Sequence, residues 1–150
     1  MANVFNDDFR DFLKALNNNS VEYIIVGGYA VIYHGYNRTT GDLDIWINPN
    51  SENYKKLSKA FIEFGMSVFD MTEQNFLSNN FDVFTFGKPP VCIEILTKVK
   101  GLEFTETFKF AIETVFDEIQ VKMIDVRDLI KAKKAANRYK DLDDLNHLES

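Results

Sequence analysis

Val26-Gly27-Gly28-Tyr29-Ala30, followed after a short gap by Arg38-Thr39-Thr40-Gly41-Asp42-Leu43-Asp44-Ile45, decides how this chain is read. Upstream, Val21-Glu22-Tyr23-Ile24-Ile25-Val26 is an apolar, β-branched run and reads as a buried strand. Residues Tyr29 to Tyr33 are compatible with a helix, and Gly35 stops them. Gly27-Gly28 therefore marks a strand-to-helix turn. Glycine there lets backbone N–H groups approach a ligand, and a helix N-terminus favours an anion. A tight turn needs glycine too, so the pair alone is a weak signal. In the second stretch Asp42 and Asp44 alternate with Leu43 and Ile45. Side chains alternate faces along a strand, so the two carboxylates share one face. Two like charges that close repel each other, and a hard divalent cation such as Mg²⁺ offsets the repulsion. A solvated outer face is the plainer reading of Asp-Leu-Asp alone. The Gly-Gly turn and Arg38-Thr39-Thr40 together favour a site.

Gly27-Gly28, a spacer and Asp42-Leu43-Asp44-Ile45 resemble the signature of the DNA polymerase beta-like nucleotidyltransferase superfamily. The fuller pattern, with Gly27-Gly28-Tyr29-Ala30, His34-Gly35 and Arg38-Thr39-Thr40, is similar to small bacterial nucleotidyltransferase-like proteins that include abortive-infection toxins. The resemblance implies a third carboxylate from a later strand. Glu94, in Val91-Cys92-Ile93-Glu94-Ile95-Leu96, is the candidate. An acid inside an apolar run is costly unless paired, or else it faces water on an edge strand.

The resemblance also implies transfer of a nucleoside monophosphate from an NTP to an acceptor hydroxyl, with two Mg²⁺ ions. Asp42, Asp44 and Glu94 would be both metal ligands and catalytic residues. Asp44 would bridge the ions, and Glu94 would help deprotonate the acceptor. Gly27 and Gly28 would cradle the triphosphate. Arg38 would clamp a phosphate or else neutralise a carboxylate. Thr40 would share the Asp face if the strand begins early, with turn duty as its plainer role. A C-terminal run, Leu129 to Asp141, carries five basic residues before its first acid. It resembles the family's closing signature, which places Lys133 against the triphosphate. Arg138, Lys140, Asp141 and Asp144 belong to the same signature, and Asp141 and Asp144 read as locks between the last two helices. His34 reads as a helix-end cap.

The 150 residues suit one domain, residues 1–150, with a proper core. An apolar fraction of 45% and a charged fraction of 27% are ordinary for a globular protein. One cysteine, Cys92, excludes an internal disulfide and reads as a buried inert thiol. No apolar run reaches the ~18 residues a membrane span needs, and Met1 to Asp8 lacks a basic signal-peptide start. A cytoplasmic location is expected. Seventeen basic against 23 acidic residues, a net charge of −6, argues against binding long nucleic acid.

Along the chain, Asn6 or Asp7 caps a first helix reaching about Leu16, and the first strand spans Val21 to Val26. Asp42 to Ile47 is the second strand, and Glu52 to Phe64 is an amphipathic helix stopped by Gly65. Met66 to Asp70 reads as extended, and a brief helix ends at Leu77. Strands Phe81 to Phe86 and Val91 to Leu96 flank a turn at Gly87-Lys88-Pro89-Pro90. Gly101 to Thr107 has no clear pattern. Ala111–Val115 and Ile119–Ile124 suit a hairpin, Val126–Asn137 a helix capped by Asp125, and Asp141 caps a final helix. The expected fold is α+β: a nucleotidyltransferase-like mixed β-sheet with helices mainly on one side.

The expected function is a Mg²⁺-dependent nucleotidyltransferase acting on an unidentified acceptor: tRNA, protein or small molecule. It would be the toxin of a toxin–antitoxin pair if an antitoxin protein accompanies it. A catalytically inactive nucleotide- or protein-binding relative is the alternative. A metal-dependent nuclease ranks last, because the Gly-Gly turn suits a triphosphate better.

Overall fold

The computed structural model describes residues 5–88 and 91–150. Asn6 accepts a hydrogen bond from Phe9 N–H and caps α1 (Asp7–Asn18), whose Phe9, Phe12, Leu13 and Leu16 stripe is buried. β1 (Tyr23–Val26) runs straight into α2 (Gly27–Tyr33). β2 (Asp42–Ile47) has the expected boundaries. α3 (Ser51–Phe64) is capped by Asn50 and stopped by Gly65 in the left-handed region. α4 (Glu73–Leu77) is capped by Thr72.

β3 (Val83–Lys88) and β4 (Val91–Leu96) pair antiparallel. Gly87 and Lys88 extend β3 rather than forming the expected turn, because Gly87 pairs with Cys92 and Lys88 with Val91. Pro89 and Pro90 of that expected turn lie outside the described residues, as do residues 1–4. Met66 to Asp70 forms no strand. α5 (Phe104–Phe110) begins within the unassigned Gly101–Thr107 segment and runs beyond it, with Phe104 packed edge-on against Trp46. β5 (Ile112–Phe116) and β6 (Ile119–Met123) make the hairpin. α6 (Val126–Ala136) is capped by Asp125 and ends at Asn137 in the left-handed region. α7 (Asp141–Leu148) starts one residue earlier than a cap at Asp141 allows. Lys140 occupies the cap position, and Asp141 sits in the first turn.

The sheet order is β3-β4-β2-β1-β6-β5, mixed in direction. Leu43 and Ile45 pair with Ile93 and Ile95, which pair with Phe86 and Phe84. This apolar face meets α1 and α3 through contacts such as Phe61–Phe86 and Phe12–Phe61. The opposite face carries Asp42, Asp44 and Trp46 in succession along β2, with α6 standing across from it. An amphipathic sheet thus dedicates one face to the core and frees the other for polar chemistry. Among the described residues no helix is long and apolar enough to cross a membrane.

Candidate active site

Two glycines build the strand-to-helix turn in close contact with the residues around it. Gly27 has φ +71°, and a Cβ there would lie 2.0 Å from Asp44 Oδ2. A Cβ on Gly28 would lie 2.5 Å from Thr40 Oγ1. The backbone of the turn is thus pressed onto Asp44 on one side and Thr40 on the other. Thr40 lies in the loop before β2 rather than on an early start of that strand, and it lines the same cleft as Asp42 and Asp44.

β2 and β4 are parallel neighbours, and their register sets Asp44 beside Glu94 and Asp42 beside Cys92. In-register side chains on adjacent strands share a face, with strands about 4.8 Å apart. Glu94 therefore stands on the same face as both aspartates, next to Asp44. The two carboxyl groups approach closely enough to share a proton. Burial, then that hydrogen bond, then the charges of Glu94 and Asp42 push Asp44 up to about 7, against a weaker opposing pull from Lys133. Asp44 Oδ1 is buried with no hydrogen-bond partner. A buried, unpartnered oxygen in a crowded carboxylate pair fits a hard cation, which would supply the missing positive charge.

No group of three His, Cys, Asp or Glu side chains forms a ready-made metal cage among the described residues. Mg²⁺ usually takes one or two carboxylates and completes its shell with water and substrate phosphates. Asp44 and Glu94 form the close pair. Asp42 lies one strand repeat along, about 6.6–7 Å away by strand geometry.

All eight expected site residues line one cleft of about 740 Å³: Gly27, Gly28, Arg38, Thr40, Asp42, Asp44, Glu94 and Lys133. Arg38 and Lys133 are not free in it. Arg38 faces Asp144 with both arms, Nη2 donating to Oδ2 at 3.1 Å and Nε lying 2.9 Å from Oδ1 without hydrogen-bond alignment. Of the two roles open to Arg38, carboxylate pairing is thus present, but with Asp144 rather than the β2 aspartates. Lys133 is 8% exposed and contacts Asp144 Oδ2 at 2.9 Å and Asp141 Oδ1 at 3.3 Å. Lys133 was expected to point at a triphosphate. A buried ammonium needs a counter-charge, and α7 supplies two.

Arg138 in turn clamps Asp141 through Nε and Nη2, at 2.8 and 3.1 Å. Burial pulls the Asp141 carboxyl up, but hydrogen bonds from the Arg138 side chain and backbone, with the Lys133 charge, hold it below its ordinary value. Asp141 and Asp144 thus tie α7 to α6 and to the loop before β2. Tyr36 extends the tie by donating to Asp143 and stacking on His147 at 3.6 Å. His34 Nε2 lies 2.6 Å from the Ile124 carbonyl, a local polar contact at the helix end. Cys92 is buried.

The cleft also has a wall that sequence reasoning missed. Leu96, Lys98, Val99 and Lys100 follow the Glu94 strand and line it. Their position after a carboxylate-bearing strand was the available signal. Gly101 closes this loop against α6, where a Cβ would lie 2.7 Å from Ala135 Cβ.

A family model described as "Nucleotidyl transferase of unknown function (DUF2204)" matches residues 5–150. No curated protein sequence matches the chain. A solved structure, the lincosamide antibiotic adenylyltransferase LnuA with lincomycin bound, shares the fold at a TM-score of 0.58 and 15% identity. The alignment covers 99% of this chain and 99% of that one.

Proposed function

Because the chain belongs to the nucleotidyl transferase family DUF2204, we propose that its cleft binds an NTP with Mg²⁺ and transfers the nucleoside monophosphate to an acceptor hydroxyl. The observation that carries this reading is the Asp44–Glu94 carboxyl pair, set in register beside the Gly27 turn. Asp42, Asp44 and Glu94 are the residues that would hold Mg²⁺. The bound ion supplies charge neutralisation at the phosphates and alignment of the attacking and leaving oxygens.

Gly27 and Gly28 offer backbone N–H groups to the triphosphate. Glu94 takes the proton from the acceptor hydroxyl. That oxygen then bonds the α-phosphorus, the bond to the bridging oxygen breaks, and pyrophosphate leaves with the electron pair. Arg38, Lys133 and Arg138 set three positive charges against Asp141 and Asp144, leaving one excess charge on the wall facing the phosphates. Arg38 and Lys133 thus serve the nucleotide as long-range charge and as supports of the wall.

ATP is the donor to try first, because the structural neighbour is an adenylyltransferase. Acceptor candidates are tRNA, a protein and a small molecule, the last being the kind of ligand bound in that neighbour. Transfer to tRNA or protein would suit a cytoplasmic toxin restrained by an antitoxin. The test is label transfer from each α-labelled NTP, with Mg²⁺ and a cell lysate, by wild type and by Asp44→Asn. Label that depends on Asp44 supports the reading. Equal labelling by both proteins rejects it.

A further inference from the structure

β3 lies at one edge of the sheet. It pairs with β4, and among the described residues no strand covers its other side. The register with β4 runs without a break from Val83–Leu96 to Lys88–Val91. Thr97 N–H donates to the Asp82 carbonyl at 2.9 Å, which places Asp82 in a hydrogen-bonded pair. Such pairs alternate along an antiparallel ladder, so Phe84 turns its N–H and C=O toward β4. Val83 and Thr85 turn theirs toward the open edge.

An open edge is a template for another strand, and natural sheets guard such edges with charge, proline or a bulge. Between Asp82 and Lys88 the exposed positions of β3 are Val83, Thr85 and Gly87, and none is charged. Two aromatic rings flank the strand. Phe81 packs on Phe84 at 5.6 Å and Phe69 on Phe86 at 6.4 Å, yet Phe81 stays 39% exposed and Phe69 69% exposed. Phe69 also holds a left-handed φ of +49°, a costly conformation for a bulky side chain. At the opposite edge, Phe5 of the same chain already lies against Phe116 of β5 and donates to Asp117.

β3 is complementary to itself. Two copies laid antiparallel about Thr85 set Thr85 opposite Thr85, and these residues exchange N–H···O=C bonds across the axis. Val83 falls opposite Gly87, which has no side chain to collide with it. Asp82 falls opposite Lys88, once on each side of the axis. Lys88 is exposed and makes no ion pair among the described residues, while Asp82 meets Lys98 only at 3.7 Å, with both side chains exposed. Centring the pair on Phe84 would instead set Asp82 against Phe86.

We propose that β3 is a self-docking edge, and that a second copy of this chain pairs with it antiparallel about Thr85, joining two six-stranded sheets into one. The axis of such a pair stands perpendicular to the sheet, so both Asp44–Glu94 faces open on the same side. Thr85 is the in-register neighbour of Glu94. Three strand steps of about 4.8 Å therefore separate the two Glu94 residues, and the clefts lie side by side.

Sedimentation velocity of the full chain across the micromolar range tests this. An edge of this length makes a modest interface, so wild type should pass from monomer to dimer with rising concentration. Asp82→Lys and Lys88→Glu each set like charges opposite one another at both ends of the pairing, and each should weaken the dimer about tenfold. The double variant restores opposite charges and should return to within about threefold of wild type. Thr85→Pro should abolish the dimer. Its N–H faces the open edge, so proline removes the bond to the partner and no ladder bond within the fold. Thermal unfolding shows whether each variant is folded, and if Thr85→Pro is not, the charge swaps decide. A wild type that stays monomeric throughout overturns the proposal. So does a dimer that the single swaps leave unchanged, or a double variant that does not recover. No nucleotide enters the assay, so none of these outcomes bears on the transferase reading.

Discussion

Gly27 and Asp44 are in such close contact that the place of a Gly27 Cβ lies 2.0 Å from Asp44 Oδ2 and 2.9 Å from Asp44 Cβ. The strand-to-helix turn and Asp44 are therefore one unit, and neither can shift without the other. Gly27→Ala should lower stability by about 2 kcal/mol or more, because φ is left-handed and the methyl collides. Thermal unfolding measures the first effect. Calorimetry with ATP and Mg²⁺ should show lost binding in the variant at temperatures where it stays folded. Normal binding would separate the turn from the nucleotide site.

Asp44 gives the free protein a distinctive pH dependence. Its carboxyl rises from 3.8 unfolded to about 7 folded, through burial, the hydrogen bond with Glu94 and the neighbouring charges. The folded state therefore holds a proton that the unfolded state has released. The stabilisation from this group is complete below pH 3.8 and is lost as pH rises through about 7. Between pH 5 and 7.5, metal-free wild type should lose stability relative to Asp44→Asn, with a slope of at most about 1.4 kcal/mol per pH unit. Mg²⁺ with ATP competes with that proton, so the rise in Tm on adding both should grow over the same range. Urea titrations of the two proteins across pH check the first part, and a thermal shift with and without Mg²⁺-ATP checks the second.

The alternation Asp42-Leu43-Asp44-Ile45 was legible because strand periodicity is local, and so were the cap at Asp125 and, as one of two candidates, the cap at Asn6. The Asp44–Glu94 register was not. It pairs strands separated by a helical excursion, and no local pattern sets which residue faces which. Only the family resemblance nominated Glu94. α5 was missed because its buried residues, Phe104 and Thr107, give too short a stripe to reveal a period. Lys133 reads as a free cation in sequence because its counter-charges lie on the next helix, and only the α6–α7 packing brings Asp141 and Asp144 to it.

Asp144 is the joint of the α7 tie, since Arg38 and Lys133 both converge on it. Asp144→Ala leaves Lys133 buried with one weaker partner at 3.3 Å. Breaking a buried pair from one side costs about 3–5 kcal/mol, and the surviving Asp141 contact argues for the lower end. Lys140→Ala removes an exposed charge that makes no ion pair among the described residues, and should leave stability within about 0.5 kcal/mol. Hydrogen exchange should show α7 amides losing protection in Asp144→Ala while β1 and β2 keep theirs. Uniform loss across the sheet would mean that α7 folds as part of the core rather than as a strapped-on element.

The β5–β6 hairpin offers a gain in stability far from the cleft. Its two-residue turn, Asp117-Glu118, has φ of +52° and +70°. Two consecutive left-handed residues match the primed turn that follows the natural twist of a hairpin, and that turn prefers Asp-Gly. Asp117 earns its place because its carboxylate accepts from Phe5 N–H at 2.7 Å. Glu118 carries the left-handed strain for little return. Its contact with Arg10 is 3.4 Å long, and the Glu118 side chain is 80% exposed. Exposed pairs of that kind contribute at most a few tenths of a kcal/mol, whereas left-handed strain on a side-chain-bearing residue costs about 1–2 kcal/mol. Glycine adds unfolded-state freedom that takes back part of the gain. Glu118→Gly should therefore stabilise the protein by about 0.5–1 kcal/mol, with ATP binding unchanged. Asp117→Gly should do the reverse, because the Phe5 N–H loses its acceptor. Equilibrium unfolding of the two single variants decides the matter, and a loss of stability in Glu118→Gly would show that the Arg10 contact outweighs the backbone strain.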